Sequence, residues 1–179
     1  MNNYKNFPEQ KLINDVLSFQ RQIDDYISPD FLMIDNGDEW SLKWFDGDKN
    51  EASNFLVFAM TTSSSLFGFW AYDNVKNPPV VFLSNECQGS KVIANSFSEF
   101  LSLVSFASDD YWLDIDYVKD DEEWEGPEEI GSNLLQLREW LQTTQAISKS
   151  NSPLHSIKTA MSEHPDLMTH IEKWQLKTQ

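Results

Sequence analysis

The amino-acid sequence predicts an α+β fold: a single domain with a central, mostly antiparallel sheet of about five to six strands, flanked by helices and followed by a helical C-terminal region. Three observations carry this. Short runs rich in aromatic and branched residues, at 54–60, 66–72 and 80–83, follow one another with only Ser/Thr, Asp-Asn and Pro-Pro punctuation between them. Apolar residues return at helical spacing before that block, at Leu12, Val16, Phe19, Ile23 and Tyr26, and after it, at Phe97, Phe100, Leu101 and Val104. The chain has 179 residues, 40% of them hydrophobic, which is enough to bury one core without a metal or disulfide staple.

The first helix is expected at about 9–27, with Pro8 suited to its opening turn and Ser28-Pro29 as its breaker. Next, 31–34 and 40–45 flank Asp35-Asn36-Gly37-Asp38-Glu39, an apolar-turn-apolar arrangement that reads as a hairpin, and 46–50 supplies a second turn. The three strands at 54–60, 66–72 and 80–83 follow. The chain then turns at 84–90 and forms a short strand at 91–94. It enters a helix at Ser96-Phe97-Ser98-Glu99, where Ser and Glu stand three residues apart, the spacing of a capping box. Further on, Tyr111, Leu113, Ile115 and Tyr117 alternate with Trp112, Asp114, Asp116 and Val118, the pattern of a half-buried strand with Asp114 and Asp116 on its wet face. Leu134, Leu137 and Leu141 mark a helix at about 132–147. The polar stretch 148–152 is a linker or loop between the α+β region, 1–147, and a tail, 148–179. In that tail Pro153 and Pro165 each open a short helix, one carrying Leu154, Ile157 and Met161 and the other Leu167, Ile171 and Trp174. The pattern fits a tail packed on the main body and a separate helical appendage equally well.

Composition narrows the function. Thirteen basic side chains stand against 29 acidic ones, a formal net charge of -16 that repels nucleic-acid backbones and anionic lipid heads. Direct binding to nucleic acid or membrane is not expected, and a basic protein is the partner this field favours. A lone cysteine, Cys87, fits a reducing compartment, and the opening stretch 1–10 has neither an apolar core nor a cleavage motif, so a cytoplasmic protein is expected.

Catalytic motifs are weak. His155, His164 and His170 all lie in the tail, without carboxylate or cysteine companions at a ligand spacing, and read as surface residues. Asp46, Asp48 and Asn50 open like a calcium loop, but Glu51 stands where the turn needs glycine and Val57 where it needs a bidentate glutamate, so a solvated turn is expected. Gly89-Ser90-Lys91 lacks the upstream glycine of a phosphate loop. Cys87 has acidic Glu86 beside it, which disfavours the thiolate. Neither a cofactor nor a catalytic residue is assigned. A hydrolase using scattered carboxylates or Cys87 would need a pocket joining one of the histidines to Cys87 or to two unequal carboxylates.

The strongest signal is the distribution of charge. Residues 109–129 read DDYWLDIDYVKDDEEWEGPEE, with eleven carboxylates and one lysine, a local charge of -10. The other 158 residues carry only -6, so a general adjustment for solubility explains the distribution poorly. Interleaved aromatics, which a disordered acidic tail lacks, suggest a folded acidic ridge. The candidate partner-binding residues are Asp109, Asp110, Trp112, Asp114, Asp116, Asp120, Asp121, Glu122, Glu123 and Trp124. The two tryptophans are the candidate anchors and the carboxylates the steering charges. Trp112 fits an interface or the core equally, whereas Trp124, within Glu-Glu-Trp-Glu, fits an exposed site or a local cap.

The run Phe67-Gly68-Phe69-Trp70-Ala71-Tyr72, then Pro78-Pro79-Val80-Val81-Phe82-Leu83, then Lys91-Val92-Ile93-Ala94-Asn95-Ser96-Phe97 and Ser98-Glu99-Phe100-Leu101 resembles the SUKH superfamily, which includes cell-wall-synthesis regulators and bacterial immunity proteins. The resemblance covers about 65–106, and upstream Asn36-Gly37-Asp38 is an eroded form of the family's Asn-Gly-Gly turn. It implies a mostly antiparallel sheet flanked by helices, no enzymatic activity, and the binding and neutralising of a cognate toxin, often a nuclease. A scaffold or regulatory interaction protein of the same fold is the alternative.

Overall fold

The structure, a computed structural model, describes residues 9–28, 31–73, 75–106 and 131–178. Among the described residues, five strands form one antiparallel sheet in the order in which they occur: β1 (Leu32–Met33), β2 (Phe55–Met60), β3 (Leu66–Trp70), β4 (Val80–Leu83) and β5 (Lys91–Ala94). The fold is α+β, as the sequence predicts.

Along each strand successive side chains point to opposite faces, and here both faces are apolar. Leu56, Phe58, Phe67, Phe69, Val80 and Phe82 enter one core; Phe55, Val57, Leu66, Trp70, Val81 and Leu83 enter the other. Helices therefore cover both sides. The first face is covered by α1 (Gln10–Ile23), α4 (Phe97–Val104) and α5 (Ser132–Trp140). The second is covered by α2 (Gly37–Trp44), α3 (Lys49–Ala52) and α7 (Leu167–Thr178). Helix α6 (Pro153–Glu163) packs along β5, sending Leu154 and Ile157 into the first core and Ala160 into the second. The tail is thus packed on the body, and α6 covers a strand edge that would otherwise invite pairing with another chain. The opposite edge is held by Gln20 of α1, whose amide donates to the Met33 carbonyl at 3.0 Å and accepts from the Met33 N–H at 2.7 Å.

Two expectations are corrected near the N-terminus. Helix α1 ends at Ile23 because Asp24 adopts a left-handed conformation, φ 51°, so Tyr26 leaves the helical stripe and lies 48% exposed. The segment read as a hairpin is instead β1 followed by α2. Asp38 and Glu39 occupy the first helical turn, where carboxylates complement the helix dipole, and Trp40 and Trp44 share one face. Gly37 is needed there for space: a Cβ would lie 1.8 Å from the Val57 carbonyl oxygen of β2.

The capping spacing before α4 is realised in a shifted form. Ser96 Oγ accepts from the Glu99 N–H at 3.1 Å, while the Glu99 carboxylate reaches back to the Asn95 N–H at 2.7 Å. Glu9 fills the remaining gap, accepting from the N–H groups of Phe97 and Ser98 at 2.7 and 3.0 Å, and Phe100 N–H returns to the Ser96 carbonyl at 3.0 Å. The amides of Phe97, Ser98 and Glu99, which have no partner within the helix, are thereby satisfied. Helix α5 continues into a wider π-helical turn, Leu141–Gln145, so the expected helix at 132–147 is present with a changed winding at its end. Among the described residues, no helix is long and apolar enough to cross a membrane.

Candidate functional site

All ten residues assigned from sequence to partner binding, Asp109, Asp110, Trp112, Asp114, Asp116, Asp120, Asp121, Glu122, Glu123 and Trp124, lie outside the described residues, as does the strand expected around 111–118. The described chain on either side is firmly joined. Arg138 of α5 donates through Nε to the Ser105 carbonyl and, at 2.8 Å, through a terminal nitrogen to the Phe106 carbonyl. A cation thereby meets the carbonyls at the C-terminal end of α4, where the helix dipole favours it.

Within the described residues the chemistry gathers elsewhere, around the histidines of the tail. An open cleft of about 340 Å³ lies between the end of β3 and the start of α7, with Asn54, Trp70, Tyr72, Asp73, His170 and Lys173 among its lining residues. Its floor is aromatic. Trp70 stacks parallel to Phe55 with ring centroids 6.1 Å apart, and it tilts against Tyr72 at 4.7 Å and His170 at 5.1 Å.

His164 is half-buried behind this floor. Its Nε2 lies 2.8 Å from Asn95 Oδ1 and its Nδ1 lies 2.8 Å from the Tyr72 hydroxyl. Asn95 orients its amide by donating from Nδ2 to Glu163 at 2.8 Å, so Oδ1 faces the imidazole and can only accept. Nε2 therefore carries the proton, and Nδ1 accepts from the tyrosine. Burial is the main cause that pushes the His164 pKa down, against the opposing charge of Glu163, which favours this neutral form. Burial, reinforced by Asp73, pushes the Tyr72 hydroxyl up, so it stays protonated.

His170 pairs through Nε2 with Glu51 Oε1 at 2.5 Å, and Trp174 Nε1 donates to the Asp48 carboxylate at 3.1 Å. These contacts tie α7 to α3 and its cap. Asp48 also accepts from the Glu51 and Asn50 amides, and these bonds, with the indole's, hold its pKa down. The turn expected at 46–50 is thus the N-cap of α3. The expectation that the histidines are surface residues holds for exposed His155 and is corrected for His164 and His170. Their partners lie 92, 69 and 119 residues away, beyond the reach of a spacing argument.

Cys87 is half-buried in the turn after β4, with φ 64°, and does not line the cleft. Burial, aided by Asp46, pushes its thiol up, away from the reactive thiolate. Among the described residues, no three His, Cys, Asp or Glu side chains gather as a metal-binding set. In comparisons with known proteins, the chain matches no family model, no curated protein and no solved structure.

Proposed function

We propose that this protein is a cytoplasmic, non-catalytic protein-binding module, an immunity-type inhibitor that neutralises a cognate basic toxin such as a nuclease. One observation carries the reading: 21 consecutive residues at 109–129 hold -10 of the net charge of -16, interleaved with aromatics. A stripe of this kind speeds encounter with a basic surface and rejects acidic competitors, while its aromatics supply the buried contact. Occupying a nuclease's substrate-binding surface with carboxylates would exclude its nucleic-acid substrate. The resemblance of 65–106 to the SUKH superfamily supports the same reading.

The test begins with the gene neighbourhood, where an immunity protein has a toxin gene beside it; a scaffold or regulatory protein does not. The neighbouring product is then used in a pull-down and in binding titrations at rising salt. Affinity should fall with salt, and changing Asp114, Asp116, Asp120 and Asp121 together to Asn or Ser should slow association by at least about tenfold at low salt. Salt-insensitive binding, or full retention by that variant, would overturn the electrostatic mechanism.

A further inference from the structure

The cleft beside α7 has an imbalance of hydrogen-bonding groups. Glu51 accepts from His170 Nε2, so in the neutral imidazole Nδ1 is left as an acceptor. The Tyr72 hydroxyl gives its proton to His164, leaving its oxygen lone pairs available. Asn54 directs its amide nitrogen toward Glu51 at 3.5 Å, so its oxygen is the uncommitted end. Asp73 is exposed and, among the described residues, in no ion pair. Against these four acceptors the cleft offers two uncommitted donors, Lys173, exposed on a flexible stem, and the buried indole N–H of Trp70, which has no partner among the described residues.

A cleft with excess acceptors over an aromatic floor suits a planar cation with several donors. The guanidinium has five N–H donors in a fixed fork, matches a carboxylate in two-point geometry, and stacks on aromatic rings. A lysine ammonium would satisfy fewer of these acceptors, and an anion would meet Asp73 with nothing to neutralise it except Lys173. We propose that this cleft receives an arginine side chain of the basic partner, as a second contact point separate from the 109–129 segment. The proposal rests on the partner being basic, and it deepens that reading by naming the side chain that is gripped.

The test uses the full chain and a small probe, so that it does not depend on the partner. N-acetyl-arginine amide is titrated into ¹⁵N-labelled protein at pH 8 and low ionic strength, with N-acetyl-citrulline amide as the uncharged isostere. Saturable shifts are expected at the amides of Asn54, Asp73, Thr169 and His170 with the arginine probe and not with citrulline. Asp73→Asn should weaken binding roughly five- to tenfold, and Lys173→Gln should tighten it about twofold or more, since each changes one partly screened charge next to the ligand. Both positions are exposed, and Asn tolerates the left-handed backbone at residue 73, φ 44°, so both variants should fold. Equal binding of citrulline, no saturable shift at the cleft, or indifference to both substitutions would overturn the proposal. Shifts confined to 109–129 would also overturn it while leaving the acidic-segment reading intact. Cleft binding that survives loss of the segment's carboxylates would support it even if no toxin is bound.

Discussion

His164 links the protonation of a single residue to the stability of the fold. Its imidazole is held neutral between Tyr72 and Asn95, with burial lowering its pKa below the ordinary value of about 6.5. As pH falls below that value the unfolded chain takes up the proton first, so the native state loses stability down to the folded pKa, and little is lost to this group beyond it. Glu99 acts in the opposite sense. Its carboxyl is raised chiefly by burial, so ionising it disfavours the native state as pH rises above about 4.5. Between pH 7 and pH 5 the two act against each other, so the His164 part is read as a difference: in denaturant melts the change in stability from pH 7 to pH 5 should be less favourable for the wild type than for His164→Gln, which keeps a polar partner without the titration. An equal slope in the two proteins would remove His164 from this role. Nothing local marks the residue, because its two hydrogen-bond partners come from the ends of β3 and β5.

At the level of elements, Val57 is where three pieces of chain come closest. Gly37 at the start of α2 and Gly68 in β3 both approach it: a Cβ on Gly37 would lie 1.8 Å from the Val57 carbonyl oxygen, and one on Gly68 would lie 3.0 Å from the Val57 Cα. The pairing of β2 with β3 changes register next to this point, between Val57 and Ala59, with Phe58 at the irregularity. Gly37→Ala forces backbone apart and should cost about 3 kcal/mol or more, while Gly68→Ala needs a shift of only a few tenths of an ångström and should cost roughly 1–2 kcal/mol. Chemical denaturation measures both, and equal costs would contradict the close approach of α2 to β2. The same place explains why the sequence reads as a hairpin there. An Asn-Gly pair between apolar runs carries a turn signal whether its glycine serves a turn or the close approach of a helix to a sheet, and only the position of Val57 distinguishes the two. The strands themselves are legible, because runs such as Val80–Leu83 and Lys91–Ala94 combine strong β preference with clear turn residues at their ends. The capped start of α4 is legible for the same reason: its signal lies within four residues.

For the whole molecule, net charge is the controlling quantity. A charge of -16 repels itself more in the compact state than in the expanded one, so added salt should stabilise the fold. The thermal midpoint should rise between about 0.01 M and 0.15 M salt, where the screening length falls from about 30 Å to about 8 Å. Neutralising Asp114, Asp116, Asp120 and Asp121 should reduce that rise, and an unchanged rise would show that the charge of 109–129 does not act on the folded body. The sequence by itself determined the α+β class, the place of all five described strands, the capped helix after β5, the two proline-led helices and the concentration of acid in one segment. These follow from local periodicity, turn chemistry and composition, which need no knowledge of distant partners. Only the tertiary structure decided that the tail helices pack on the body, that both faces of the sheet are buried, that His170 lines a cleft with Trp70 and Tyr72, and that His164 bonds to Tyr72 and Asn95. Those outcomes depend on which residues far apart in the chain meet across the sheet, and this is fixed by packing two cores at once.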